Sequence, residues 1–180
     1  MELLNKLKES KKYTACITGH RPKTLPWKYD ETKESCKNFK TRIKQIFVEK
    51  IEEGVEIFMT GMAEGFDMIS TEILIDLRQS YRDIKIIAVI PCKDQEKRWN
   101  AQQQSRYLRI ISECDDVIIL AEKYTDTCMN ERNLFMVQHS NYCIACWNGK
   151  PSGTGNTVRF ANENHCNVTI MNPNDFITRN

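Results

Sequence analysis

Apolar and polar positions along this chain follow two rhythms. Short runs at Tyr13 to Thr18, Val55 to Thr60, Ile84 to Ile90, Asp116 to Leu120, Tyr142 to Trp147 and Asn167 to Met171 are mostly rich in Ile and Val. Their length and β-branched content predict buried strands. Between them Phe39, Ile43, Ile46, Phe47 and Ile51 recur at helical spacing with charged residues opposite, and Gly54 stands where such a helix is capped. Phe66, Ile69, Ile73, Leu74 and Leu77 repeat the rhythm, and weaker amphipathic patterns cover Glu96 to Ser112, Asn130 to Ser140 and Thr157 to Asn164. Their charged runs are most simply solvated helix faces.

Strand and helix in regular alternation imply parallel pairing through helical crossovers. The expected fold is therefore α/β: a Rossmann-like, doubly wound, mostly parallel sheet with helices on both faces. The 180 residues suit one such domain, 1–180, with residues 1–12 as an N-terminal extension, and no repeat or Gly/Ser linker divides them. Ligands of these sheets bind outside the carboxyl ends of the strands, near the reversal of strand order, so chemistry is expected in the loops that follow strands.

Composition narrows the function classes. A hydrophobic share of 41% and a charged share of 28% are those of a folded globular chain, and the net charge of +2 asks for no nucleic-acid partner, although it does not forbid one. The start lacks the apolar core of a signal peptide and no run approaches bilayer length, so a cytoplasmic protein without membrane contact is expected. The eight cysteines then read as reduced, with Cys16, Cys114, Cys143 and Cys146 serving as small hydrophobes in or beside apolar runs.

Of the seven glycines, six (Gly19, Gly61, Gly65, Gly149, Gly153 and Gly155) follow proposed strands, as do Pro22, Pro26, Pro91 and Pro151. The loops leading into strands carry only Gly54, so the expectation is an edge where backbone approaches something closely. The first loop, Thr18-Gly19-His20-Arg21-Pro22, offers a hydroxyl, backbone donors and a guanidinium that can grip a phosphate. Its structural alternative is a surface ion pair for Arg21 and a tethering role for His20. The second, Gly61-Met62-Ala63-Glu64-Gly65-Phe66-Asp67, runs straight into a helix whose amides can hold an anion. Asp67 either complements that helix dipole or meets a ribose hydroxyl. The third, Pro91 to Gln95, leads to Trp99, whose indole packs on the sheet or stacks on a base. The last, Gly149 to Thr157, is small and hydroxyl-rich, and its Ser152, Gly153, Thr154, Asn156 and Thr157 can wrap a phosphate.

Several alternatives fall away. No Gly-Lys-Ser/Thr completes a Walker loop, and Val158 stands where the dinucleotide fingerprint needs its third glycine. Cys143 and Cys146 have zinc-like spacing but no second pair, and on a strand their thiols point to opposite faces. No metal or cofactor is expected.

Taken in order, Cys16-Ile17-Thr18-Gly19-His20-Arg21-Pro22 with Leu25-Pro26-Trp27, Gly61 to Asp67, Ile90-Pro91-Cys92 with Gln95 and Trp99, Arg132-Asn133, and Trp147 with Ser152-Gly153-Thr154 and Asn156-Thr157 resemble the YpsA-like proteins. These belong to the SLOG superfamily, named for the DNA-processing protein DprA (Smf) and the LOG phosphoribohydrolases. The resemblance implies a Rossmann-like fold, self-association into a homo-oligomer, and a site for nucleotides or nucleotide-derived ligands such as ADP-ribose-like signals. LOG enzymes cleave a nucleotide N-glycosidic bond with an arginine and a glutamate. Arg132 matches the arginine, but Val158, Arg159 and Phe160 occupy the stretch where the glutamate is expected. A guanidinium cannot replace that carboxylate, so turnover would fall to Asp67 or Glu64.

The expected function is thus binding, by sensing or sequestering, of a nucleotide-like small molecule. The alternatives are a nucleotide N-glycosidic-bond hydrolase and a DprA-related single-stranded DNA-handling protein.

Overall fold

The computed structural model describes the backbone of residues 2–177, without the side chains of residues 2–4 and 6. The ends of the expected domain span, residue 1 and residues 178–180, lie outside the described residues. Six strands form one sheet: β1 (Thr14–Gly19), β2 (Ile57–Thr60), β3 (Lys85–Ile90), β4 (Asp116–Ile119), β5 (Tyr142–Cys146) and β6 (Asn167–Met171). Their order is β4-β3-β2-β1-β5-β6, and every neighbouring pair is parallel. The chain steps outward from β1 to β4 and then returns across the sheet to add β5 and β6 on the other side of β1.

The direction of stepping decides which face each helix covers. Helices α2 (Glu34–Glu52) and α3 (Phe66–Leu77) carry Phe39, Ile43, Phe47, Ile69 and Leu74 into one cluster with Ala15, Ile17 and Phe58. On the same side α4 (Ala101–Ser112) sets Tyr107 and Ile110 against Met62, Met68, Ala88 and Ile90. Helices α5 (Cys128–Gln138) and α6 (Gly153–Glu163) cover the opposite face, where Met136, Val137 and Ala161 meet Cys16, Met59, Val89 and Cys143. Alternation along β1, with Ala15 and Ile17 on one face and Cys16 on the other, shows why the inner strands read as apolar runs: both their faces are buried. Cys143 and Cys146 separate in the same way, one into each cluster.

Seven of the eight thiols are buried, whereas Cys114 is only partly so. The expected extension contains a helix of its own, α1 (Glu2–Glu9), whose Leu7 is 1% exposed within the second cluster. Arg106 joins three elements of the first face, donating to Glu31 ahead of α2 and to Glu72 on α3.

The strands and the first two helices lie where periodicity puts them; the later helices start elsewhere. Helix α4 begins at Ala101 instead of Glu96 because Asn100 and Gln103 form a reciprocal cap, with bonds of 2.9 and 3.0 Å. Helix α5 starts at Cys128, two residues before Asn130. Helix α6 begins at Gly153, four residues before Thr157, because Ser152 Oγ accepts the Gly155 amide at 3.1 Å and starts the helix through its glycines.

Replacing Asn100 with Ala removes half of the α4 cap and should cost about 1 kcal/mol. Urea unfolding should show a lower midpoint with an unchanged m-value.

Candidate functional site

Strands β1 and β5 are neighbours, but the helices that follow them cover opposite faces, so their loops diverge and leave a crevice at the reversal of strand order. His20 ties its walls together. Its amide donates to the Cys146 carbonyl, its carbonyl accepts the Phe66 amide at the start of α3, and its Nε2 accepts the Asn148 amide at 3.1 Å. Nδ1 therefore carries the proton. Burial lowers the pKa of the imidazole below its ordinary value, so the ring is neutral at pH 7.

The second loop differs from expectation in one respect. Some of its amides are already engaged: Met62 donates to Thr60 Oγ1, Ala63 to Asp67 Oδ2 at 3.2 Å, and Phe66 to the His20 carbonyl. The protein's own acceptors thus occupy the first amide of α3 and the turn ahead of it. Burial raises the Asp67 pKa, an effect opposed by Arg132 and then Arg21.

Close approach of backbone does occur, but chiefly to other parts of the protein. Gly61 lies under the Arg132 guanidinium, where a Cβ would come within 1.8 Å of Nη1. Nη1 donates to the Gly61 carbonyl at 2.5 Å and Nε to Asn133 Oδ1 at 2.7 Å. Gly65 has φ +91°, and a Cβ there would lie 2.6 Å from the His20 carbonyl oxygen. Gly19 and Gly155 face Phe66 and Trp147 in the same manner.

Gly149 and Gly153 differ, with nothing within 4 Å of where a Cβ would stand. Among the described residues, the amides of Gly153 and Thr154 at the start of α6 have no hydrogen-bond partner. They adjoin a cavity of about 190 Å³ whose lining also includes Thr18, Gly19, His20, Arg21, Asp67, Arg132 and Asn133. Among the described residues Arg132 Nη2 has no hydrogen-bond partner, so two guanidinium groups and one helix start face a single carboxyl. The chemistry of this lining is that of an anion receptor.

Comparison with known proteins agrees with the fold. The profile of the YspA SLOG family matches residues 15–176. The chain belongs to that family. An uncharacterized SPbeta prophage-derived protein, YoqJ, of Bacillus subtilis is 29% identical to this SLOG chain over 60% of it and 70% of the relative. A UPF0398 protein of Bacillus pumilus is 23% identical over 86% and 84% of the two chains. Among solved structures, DNA processing protein A of Helicobacter pylori, described for its single-stranded DNA binding mode, aligns with TM-score 0.59 and 16% identity over 92% of this chain and 67% of its own. The Streptococcus pneumoniae protein of the same name gives TM-score 0.53 and 17% identity, and this chain spans 51% of its length. At such identities the likeness shows the Rossmann-like fold alone.

Within the SLOG fold the expected site residues disperse among three places. Thr18, Gly19, His20, Arg21, Ala63, Asp67, Arg132, Asn133, Ser152, Gly153 and Thr154 do meet at the crevice. Gln95 and Trp99 line a second cavity of about 420 Å³, and Glu64 and Gly65 a third of about 430 Å³. Met62 is packed in the core beneath α4, Pro91 is buried, and neither lines the crevice. Asn156 is exposed on α6, while Thr157 is buried and donates to the Gly153 carbonyl. Sequence reasoning missed Thr24, Met129 and Asn130. Met129 was within reach, since it shares a helix face with Arg132 and Asn133 at spacings of three and four.

Among the described residues no helix is long and apolar enough to cross a membrane.

His20 makes the site sensitive to acid. A folded-state pKa below the unfolded value of 6.5 contributes stability that is present above 6.5 and lost as the pH falls through the folded value. Between pH 7 and 5 wild-type stability should therefore decline more steeply than that of His20→Gln, which keeps an acceptor for Asn148; urea unfolding across that range measures the two slopes.

Proposed function

We propose that this SLOG chain is a binding module for a nucleotide or nucleotide-derived ligand, whose phosphate-bearing end enters the crevice between β1 and β5. The observation that carries this reading is the pair of unpartnered amides, Gly153 and Thr154, opening with Arg21 and Arg132 onto one cavity. Backbone donors at a helix start, the helix dipole and two guanidiniums together suit a phosphate better than a neutral ligand. At about 190 Å³ the cavity is below the roughly 300 Å³ at which small-molecule sites begin, so it takes the phosphate end and leaves the base outside.

Binding is favoured over hydrolysis by the state of the acids. Asp67 is the one carboxyl lining this cavity, and its Oδ2 already holds the Ala63 amide as a cap. Glu64 faces the third cavity. The single-stranded DNA binding described for the Helicobacter pylori neighbour is a reading for which the near-neutral charge offers little support.

Gly153→Pro provides the test. Proline suits the first position of a helix, Ser152 before it is extended, and a Cβ there meets nothing, so the fold should be retained while one amide donor is lost. Calorimetry with ribose phosphate and a panel of nucleotides should show binding to the wild type, weakened on the order of tenfold in the variant. No heat with any member of the panel would overturn the reading.

A further inference from the structure

We propose that the cavity between the β3–α4 and β4–α5 loops is the nucleobase subsite of the same site, and that the ligand is an elongated nucleotide carrying phosphate as well at its base-proximal end. This rests on the reading of the crevice as a phosphate receptor. The two cavities adjoin at Met129, which lines both. The outer one, about 420 Å³, falls in the size range of small-molecule sites that the inner one misses.

Its lining has the chemistry of a base site. Trp99 packs edge to face on Tyr107, with centroids 5.5 Å apart, and lines the cavity. Tyr124, 62% exposed, lines the same cavity and supplies a second aromatic surface. Both rings offer stacking to any base, and an indole N–H is a donor for a ring nitrogen or carbonyl.

The charges around these rings are unbalanced. Lys93 pairs with Glu122 at 2.6 Å, and Lys97 reaches Asp94 only at 4.0 Å. Arg98 and Lys123 line the cavity with no acidic partner among the described residues. Aromatic surfaces beside uncompensated cations recognise a base together with its attached phosphate, and an apolar metabolite would leave those cations unused. A single mononucleotide engages one set of cations and leaves the other empty. A dinucleotide-type ligand, with the adenosine-borne phosphate of its diphosphate toward these outer cations and the ribose-borne phosphate at α6, engages both. A nucleic-acid strand makes the same contacts but favours a longer basic track than the balanced overall charge provides.

Calorimetry on the full chain with ribose phosphate, AMP, ADP-ribose and a short single-stranded oligonucleotide separates these ligands. ADP-ribose should bind at least about tenfold more tightly than ribose phosphate, the value expected from one added stacked base. It should also change a fluorescence signal that Trp99→Phe abolishes. Tyr124→Ala and Arg98→Ala alter exposed side chains, so thermal melts should match the wild type while the ADP-ribose to ribose phosphate affinity ratio falls toward one. A wild-type ratio near one, or a ratio unmoved by both substitutions, overturns this inference while ribose phosphate binding upholds the reading of the crevice. Tighter binding of the oligonucleotide with a steep salt dependence overturns it in favour of a strand. Absence of binding by every probe overturns both.

Discussion

The architecture of the crevice depends on one buried cation. Arg132, 4% exposed, sits over the bare Cα of Gly61 and reaches across the sheet from α5 to the loop after β2. Removing a guanidinium from water costs several kcal/mol, and burial accordingly lowers its pKa. The Gly61 carbonyl, the Asn133 side chain and the nearby Asp67 charge offset that cost. A side chain on Gly61 would deny the guanidinium its place and leave the floor of the cavity without its charge.

Around that floor the loops brace one another. His20 links the loops after β1 and β5 to the start of α3, and Gln95 Nε2 donates to the Met62 carbonyl at 3.2 Å, holding the β2–α3 turn where Met62 adopts φ +52°. These contacts occupy the entry to one helix and leave that of another open. At α3 the His20 carbonyl takes the Phe66 amide and Asp67 the Ala63 amide just ahead of the helix, whereas α6, capped by Ser152 through the Gly155 amide, keeps those of Gly153 and Thr154 without a partner among the described residues. The raised pKa of Asp67 suits this division, because a carboxyl that more readily takes a proton opposes an arriving phosphate less.

Much of the fold was legible because its signals are local and redundant. All six strands were identified: the four inner ones are buried on both faces, the edge strands β4 and β6 are more exposed but keep their Val and Ile, and α2 and α3 were readable from their apolar spacing. The starts of α4 and α6 were not, because each is decided by a side-chain cap, Asn100 or Ser152, that outweighs periodicity. The site was legible as a set of loops but not as a set of contacts. Four of the six post-strand glycines mark close approaches, yet which atom approaches each depends on residues far along the chain: Phe66 for Gly19 and Arg132 for Gly61.

The linear order of residues determined the alternation of strand and helix, the parallel sheet and the edge at which a ligand must enter, because hydrophobic periodicity and chain direction are properties of neighbouring residues. Tertiary structure alone decided that the first amide of α3 is taken while that of α6 is open, that Asp67 turns inward to its own loop, and that Trp99 belongs to a cavity adjoining the crevice instead of the crevice itself. The physical reason is competition: a backbone donor binds whichever acceptor the fold brings nearest, and that choice is made by residues 40 to 130 positions apart in sequence, as in the Phe66 to His20 and Asn148 to His20 bonds.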